Sequence, residues 1–438
     1  MRLFATGALV AFLGICFSIY ALVSRAHATL TLDSSVSVGE TYSNNLYFTF
    51  ANKHDDFGTF VKPRLTLKYA SEDIVVNGTY TATGQMWVNN PGANTIVQGA
   101  RFRFDLPFLT RRYKRLEVNL HENFNITPQL PAFVSVADDQ STGTGLGNIR
   151  RVGGGFQGSQ GGAGFGANSL GNQGIMTRRS TSAYQNRAGF GLTYHLTPTL
   201  SPTLEYANNI RKFTSSQFQG STTHRVNLQI EKKVNPQFGV HLAYKFQDTQ
   251  FDSNGPSTTS IAVGGRGSGI SHSLRSGINY QVDPTLPIYA QAGVTYTNTE
   301  RRSERINFTG IARVAKNFSD GVINLNFRQR IGSGGGLAAA TTLSQTVFLS
   351  GNKIVTQYVS LFGGFGFARN TSLSGGTIDL RTYQGNGGIS VTLLSWLNGV
   401  ASYAYQNQDS TGTAGNSAQS HSVFVGLSGV APSWRIFK

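Results

Sequence analysis

The chain has 438 residues, of which 52 are Gly, 13% are charged, 11% are aromatic and one is Cys. Few charges, many aromatics and abundant Gly suit a strand-rich, turn-rich chain and argue against a helical one. A single Cys excludes an internal disulfide, a cysteine zinc site and c-type haem attachment, while a formal charge of +16 points to polyanionic surroundings.

Arg2 precedes an apolar run from Leu3 to Ser24, followed by Ala26-His27-Ala28, a small-x-small signal for cleavage before Thr29. Residues 1–28 therefore read as a secretory signal peptide. An uncleaved anchor is the alternative, since about 20 apolar residues can span a bilayer. Cleavage removes Cys16, Arg2 and Arg25, leaving 35 Lys and Arg against 21 Asp and Glu, a net charge of +14. An exported basic chain meets lipopolysaccharide, anionic polymers and anionic solutes rather than nucleic acid. No later run is long enough for a membrane helix, so a soluble periplasmic protein or a β-barrel remains.

Downstream, the best-defined segments alternate with period 2. Pro63, Leu65, Leu67 and Tyr69 interleave with Lys62, Arg64, Thr66 and Lys68. Phe102, Phe104 and Leu106 interleave with Arg101, Arg103 and Asp105, and Leu116, Val118, Leu120 and Phe124 with Arg115, Glu117, Asn119, His121 and Asn123. A Gly-rich stretch, residues 127–180, then interrupts the pattern. Its plain reading is a mobile extracellular loop, and its sharper one a loop folded into the lumen as a constriction.

Alternation resumes around Arg187, Glu205, Arg225, Glu231, Lys245 and Arg328 and continues to Val423, Val425 and Leu427. With the weaker segments the chain holds about 16 to 18 strands. Leu196-Thr197-Pro198-Thr199-Leu200, Val234-Asn235-Pro236-Gln237-Phe238 and Val282-Asp283-Pro284-Thr285-Leu286 share one turn grammar. Pro presets φ, and the Thr, Asn or Asp before it bonds its own backbone. Short turns alternate with longer polar connections, such as 211–221, 252–269, 298–305 and 409–417. In barrels of this kind the short turns face the periplasm. Ile126-Thr127-Pro128-Gln129-Leu130 copies the grammar yet falls on the opposite rim by strand parity.

A soluble sandwich would bury the same apolar faces, but strand length, the export signal and the alternating connections favour a transmembrane antiparallel up-and-down β-barrel over residues 29–438. At this strand number the inside is a wet lumen. Its predicted lining is Arg64, Lys68, Arg101, Arg103, Arg115, Arg187, Arg225, Lys245 and Arg328, against Asp105, Glu117, Glu205 and Glu231. Such a wall favours anions, unless its charges merely form cross-strand pairs. His54-Asp55-Asp56 and Asp138-Asp139 are solvated loop charge rather than a protease rim or a Ca²⁺ site. No Ser pairs with a His and no phosphate loop is present, so neither catalysis nor a cofactor is expected. Arg111-Arg112, Arg150-Arg151, Arg178-Arg179 and Arg301-Arg302 lie in connections, solvated or holding lipopolysaccharide phosphates. At the C-terminus Phe437 is penultimate and Pro432 interrupts the strand. The signal for the barrel-insertion machinery then falls on Val423 to Gly429, followed by a periplasmic tail with Trp434 at the interface.

Val36-Ser37-Val38-Gly39-Glu40-Thr41-Tyr42-Ser43-Asn44-Asn45-Leu46, followed by Asp56-Phe57-Gly58-Thr59-Phe60-Val61-Lys62-Pro63-Arg64-Leu65-Thr66-Leu67, resembles a β-barrel porin family. Its members occur near exosortase and exopolysaccharide systems and open with a Tyr-x-Asn-Asn turn and an Asp-Phe…Pro-x-Leu strand. The resemblance implies an outer-membrane barrel, with a link to polysaccharide export, and brings no catalytic residues. The expectation is a passive channel for small, preferably anionic solutes. The competing one is a barrel component of an exopolysaccharide assembly.

Overall fold

A computed structural model describes residues 28–49, 51–127, 183–214, 220–252, 269–299, 302–334, 340–372, 379–410 and 417–437. The signal peptide, Cys16, the Gly-rich stretch beyond Thr127, Asp138-Asp139, Arg150-Arg151, Arg178-Arg179 and Arg301 lie outside the described residues.

The strands are β1 (Thr29–Ser43), β2 (Asp56–Ala70), β3 (Val75–Trp87), β4 (Thr95–Asp105), β5 (Leu116–Thr127) and β6 (Ala183–Tyr194). Next come β7 (Leu200–Phe213), β8 (Ser221–Lys233), β9 (Phe238–Phe251), β10 (Gly269–Gln281), β11 (Pro287–Thr299) and β12 (Arg302–Phe318). The last are β13 (Gly321–Gly334), β14 (Ala340–Ile354), β15 (Val359–Ser372), β16 (Asp379–Leu394), β17 (Leu397–Ser410), β18 (Ser417–Val430) and the short β19 (Trp434–Phe437). Each of β1 to β18 pairs antiparallel with the long strands next to it in sequence, and β18 pairs with β1 from Ser35↔Val430 to Ser43↔Ser422. Eighteen long strands thus close a β-barrel and leave no open edge.

Several polar connections are shorter than the sequence suggests. Strand β7 runs through Arg211 to Phe213, and only two residues separate β11 from β12. Cross-strand pairing carries these polar segments beyond the apolar belt as strand.

Alternation sorts every strand into two faces. Val36, Val38, Leu228, Ile230, Leu242, Leu274, Val294, Phe308, Leu349, Phe365, Val425 and Leu427 point outward and are exposed. Toward the short-turn rim this band ends in Tyr194, Tyr280, Phe318, Tyr358, Trp396 and Trp434, all exposed. Toward the other rim it ends in three outward pairs, where the Tyr206, Tyr244 and Tyr403 hydroxyls meet Nδ1 of His224, His272 and His421 at 2.9, 2.8 and 2.6 Å. Each of these His residues lies nine positions from the short-turn end of its strand, Lys233, Gln281 or Val430. At ~3.3 Å per residue and a tilt near 40°, that is about 23 Å, the height of a lipid-facing band. Among the described residues no helix is long and apolar enough to cross a membrane.

The inner face is the reverse of an oily core. Ser37, Thr203, Asn227, Gln229, His241, Thr249, Thr295, Ser344 and Ser428 are buried there, and buried polar residues outnumber buried hydrophobic ones. Hydroxyls join strand to strand, as in Ser37–Ser428 at 3.0 Å, Ser273–Thr295 at 2.6 Å and Thr295–Thr309 at 3.0 Å. A sandwich would need apolar residues on both packed inner faces.

The three Pro turns share one rim. In each, the side chain of the second residue caps the turn: Asn235 Oδ1 accepts from the Gln237 and Phe238 amides at 2.9 and 2.7 Å. Thr197 Oγ1 accepts from Thr199 and Leu200 in the same way. A fourth copy, Val355-Thr356-Gln357-Tyr358-Val359, makes the same bonds without Pro, since Thr356 Oγ1 accepts from Tyr358 and Val359. Thr127 ends β5 at the opposite rim, so strand parity holds there.

The Asp283 carboxylate accepts from the hydroxyl and amide of Thr285, both at 2.6 Å, and pairs with Lys316 at 3.2 Å. The Thr285 hydroxyl first, and then its amide, holds this carboxyl below 3.8. A depressed acid stabilises the turn above its unfolded pKa, and that contribution fades as pH falls through the folded value. Hydrogen exchange at Thr285 and Leu286 should therefore stay slow down to pH 4 and accelerate below the folded pKa. Asp283→Ala should exchange fast throughout, and equal protection in both chains would refute the cap.

Beyond Val430 the chain is not a free tail. Ala431 N–H bonds Ser34 O at 3.0 Å, and β19 resumes pairing with β1 through Leu32↔Trp434, Thr31↔Arg435 and Leu30↔Phe437. Pro432 lacks an amide donor, so the break falls where the ladder skips, and β19 continues the closing seam.

Candidate functional site: the lumen wall

The lumen has two unlike arcs. On the first, Arg64, Arg187, Arg225, Lys245, Arg275, Arg313 and Arg328 all point inward. They lie five to eight residues from the short-turn ends of β2, β6, β8, β9, β10, β12 and β13. Glu205 is the one inward carboxylate at that height among the described residues, and Asn227 Nδ2 donates to it at 3.3 Å. Arg225 and Arg275 are steadied by neutral partners, donating to Gln247 Oε1 at 3.2 Å and Gln291 Oε1 at 3.4 Å. An amide fixes a guanidinium without cancelling its charge.

Glycine shapes this arc. Tyr289 and His241 stack 5.1 Å apart with 5° between their planes, and the Arg313 guanidinium lies 5.7 Å from the Tyr289 centroid. The stack crosses β10 at Gly277, where a Cβ would come within 2.5 Å of His241 Nε2.

The second arc, β14 to β18, has no inward charge among its described residues. Its inner face presents Thr346, Phe348, Ser350, Phe362, Thr382, Gln384, Asn386, Ser402, Gln406 and Phe424 between glycines. The charged groups of these strands, Lys353, Arg369, Asp379, Arg381 and Asp409, all fall on the outward parity. Arg369 and Asp379 form a two-point pair at 3.0 and 2.9 Å.

Of the residues expected to line the pore, the structure places Arg64, Lys68, Arg101, Arg103, Arg187, Arg225, Lys245 and Arg328 on the inner face. Lys68 bonds Asp33 at 2.7 Å and Arg103 bonds Asp105 at 3.0 Å, so these two cations near the short-turn rim are partly neutralised. Arg115 differs. It precedes β5 in the rim connection, where its Nη1 donates to Leu196 O at 2.8 Å, because the chain from Leu106 folds into a six-residue helix, Pro107–Arg112, and a turn. Arg111 in that helix pairs with Glu72 and Asp73 of the β2–β3 turn. Sequence reading missed Arg275, Arg313 and Arg330 as inner residues, because Ser276, Ala312 and Gln329 stand at outward positions beside them and blur the alternation.

At the long-loop rim, the motif behind the family resemblance is a staple. Asn45 Nδ2 donates to Thr49 O at 2.7 Å and Gln419 O at 2.9 Å, and Asn44 Oδ1 accepts the His421 amide at 2.8 Å. Asp56, 1% exposed, accepts from the Phe57 amide, the Asn89 amide and side chain, and Asn90 Nδ2. The residue read as solvated loop charge thus ties two loops together. Asp56→Ala strands those donors and should cost about 1–3 kcal/mol in urea unfolding from detergent micelles. An unchanged midpoint would dismiss the staple. Among the described residues no three His, Cys, Asp or Glu side chains are grouped to hold a metal.

The fold and the two-sided polar wall define a transmembrane β-barrel with a wide, polar interior. The Pseudomonas aeruginosa protein OccK2 (OpdF) aligns with 94% of this chain and 98% of its own at 10% identity and a TM-score of 0.47. The outer membrane protein opdK from the same organism aligns over 92% and 99% at 9% identity and a TM-score of 0.45. A BenF-like porin from Pseudomonas fluorescens Pf-5 aligns over 91% and 99% at 10% and 0.43. No protein-family model matches the sequence, and no curated protein does.

Proposed function

We propose that this chain is an outer-membrane channel through which small solutes diffuse passively, with a preference for anions. The mid-height cationic arc carries the reading. Seven inward cations stand at that height against one inward carboxylate, Glu205, among the described residues, a balance that supports a positive field in the lumen. Planar-bilayer recordings of the refolded chain in chloride and acetate salts should show discrete conductance steps and a reversal potential of anionic sign. Absence of steps in both salts would sink the channel reading, and a cationic sign would sink the preference.

Export by the signal peptide and residence in the outer membrane belong to the same proposal, and membrane fractionation tests them. The link to polysaccharide export rests on the sequence resemblance. Genes for chain polymerases or sorting enzymes beside this one would support it.

A further inference from the structure

Among the described residues the outward face carries one charge at mid-depth of the apolar band. The outward series Val118, Leu120 and Phe124 on β5 includes Glu122, whose cross-strand neighbours are outward Phe102 and Ala188. Glu122 stands six residues from Leu116, where β5 begins, or about 15 Å up the band. Every other outward charge on the described strands stands at a rim. Lys232, Lys316 and Lys353 are within two residues of the short-turn ends of β8, β12 and β14, and Asp248, Arg369 and the remainder are ten or more residues from theirs.

The surroundings of Glu122 are polar as well. Asn186 Nδ2 donates to its Oε1 at 3.2 Å, and the outward Tyr80 hydroxyl on β3 donates to Gln98 Oε1 on β4 at 3.2 Å. Asn208, outward on β7, completes a strip across β3 to β7, and the Oδ1 atoms of Asn186 and Asn208 are buried without a hydrogen bond. Between these groups the outward residues are small: Gly78, Ala82 and Gly84 on β3, Ala100 on β4 and Ala188 on β6. At the same depth β8 to β11 present Val226, Tyr244, Leu274 and Val294. Hydrocarbon suits that second face and not the first, because a carboxylate and unbonded amides facing lipid lose the hydrogen bonds that water gives.

We propose that the β3–β7 face packs against the same face of a second copy and encloses Glu122 between two barrels. A two-fold axis along the membrane normal sets each group opposite groups of equal depth. Tyr80 lies five residues from Val75, Gln98 seven from Asp105 and Asn208 eight from Leu200, so the strip offers its own carboxylate hydroxyl and amide donors at nearly its height. Glycine and alanine let the two walls approach closely. A copy also carries aromatic belts at identical heights, so both barrels sit in one bilayer without mismatch. The proposal rests on the membrane placement and needs no conduction.

Single cysteines joined by a short bis-maleimide in membranes test it, with the parent chain as the baseline for Cys16. Ala188→Cys should give a product of twice the chain mass, and Leu274→Cys, outward on β10, should not. Adding Glu122→Leu to Ala188→Cys should cut that product roughly tenfold, whereas a lipid-facing Glu122 would leave it unchanged. Sedimentation equilibrium in detergent should find two chains for the parent and a roughly tenfold weaker dimer for Glu122→Leu. Heat-modifiable gel migration verifies that each variant is folded. A single-chain mass, equal products at both cysteines or a product of another mass would overturn the second copy. If the chain is missing from membranes, the placement fails separately, and sedimentation of the refolded chain in micelles then decides the contact.

Discussion

Replacing Arg225 and Arg275 with Glu should lower the anion-to-cation permeability ratio by roughly tenfold, the scale on which a charged cleft concentrates its counter-ions. The two residues lie on β8 and β10 at mid-height, flanking Lys245 on β9. Their partners Gln247 and Gln291 can donate to a carboxylate as readily as they accept from a guanidinium. The double substitution therefore reverses the local field and keeps a partner for each of these two amides. Reversal potential across a salt gradient reads the change. Lys232→Glu, outward at the short-turn rim, is the control and should leave the value where it was. A ratio unmoved by the inner pair would mean that permeation ignores this arc.

Removing residues 431–438 should cut stability by roughly 3 kcal/mol. The truncated chain loses the Ala431–Ser34 bond and the β19 ladder, at about 1 kcal/mol for each backbone bond. It also opens the first residues of β1 as an edge, which invites pairing between chains. Urea unfolding in micelles gives the energy, and oligomers on unheated gels report the exposed edge. A truncated chain with the parent midpoint would show that β19 follows closure without contributing to it.

The barrel is legible in the sequence because one physical constraint is repeated along it. Lipid-facing residues must be apolar at every second position, and Leu65-Thr66-Leu67-Lys68-Tyr69 states this plainly. Legibility fails where small residues carry the pattern. Ser276, Ala312 and Gln329 are acceptable on either face, so Arg275, Arg313 and Arg330 each lack one of the apolar neighbours that would have marked their side. Asp56 was misread for another reason. Its value lies in Asn89 and Asn90, more than thirty residues away, which no local pattern announces. The division of the wall into charged and uncharged arcs was in the composition of each strand. It became visible only when closure set β14 to β18 side by side.

The four capped turns also bear on the order of events during assembly. Each is built by a side chain bonding the amide two residues ahead, and in three of the four the amide three ahead as well, so it needs no distant partner and closes a loop of minimal entropy cost. The hairpins β6–β7, β8–β9, β10–β11 and β14–β15 are therefore the natural early units, whereas the strands joined over the other rim must find each other across longer spans. Folding would then spread from one mouth of the barrel, with the far loops carried across the bilayer by hairpins already zipped behind them. Substitutions at Thr197, Asn235, Asp283 and Thr356 should slow insertion, while those at Asn45 or Asp56 should chiefly hasten unfolding.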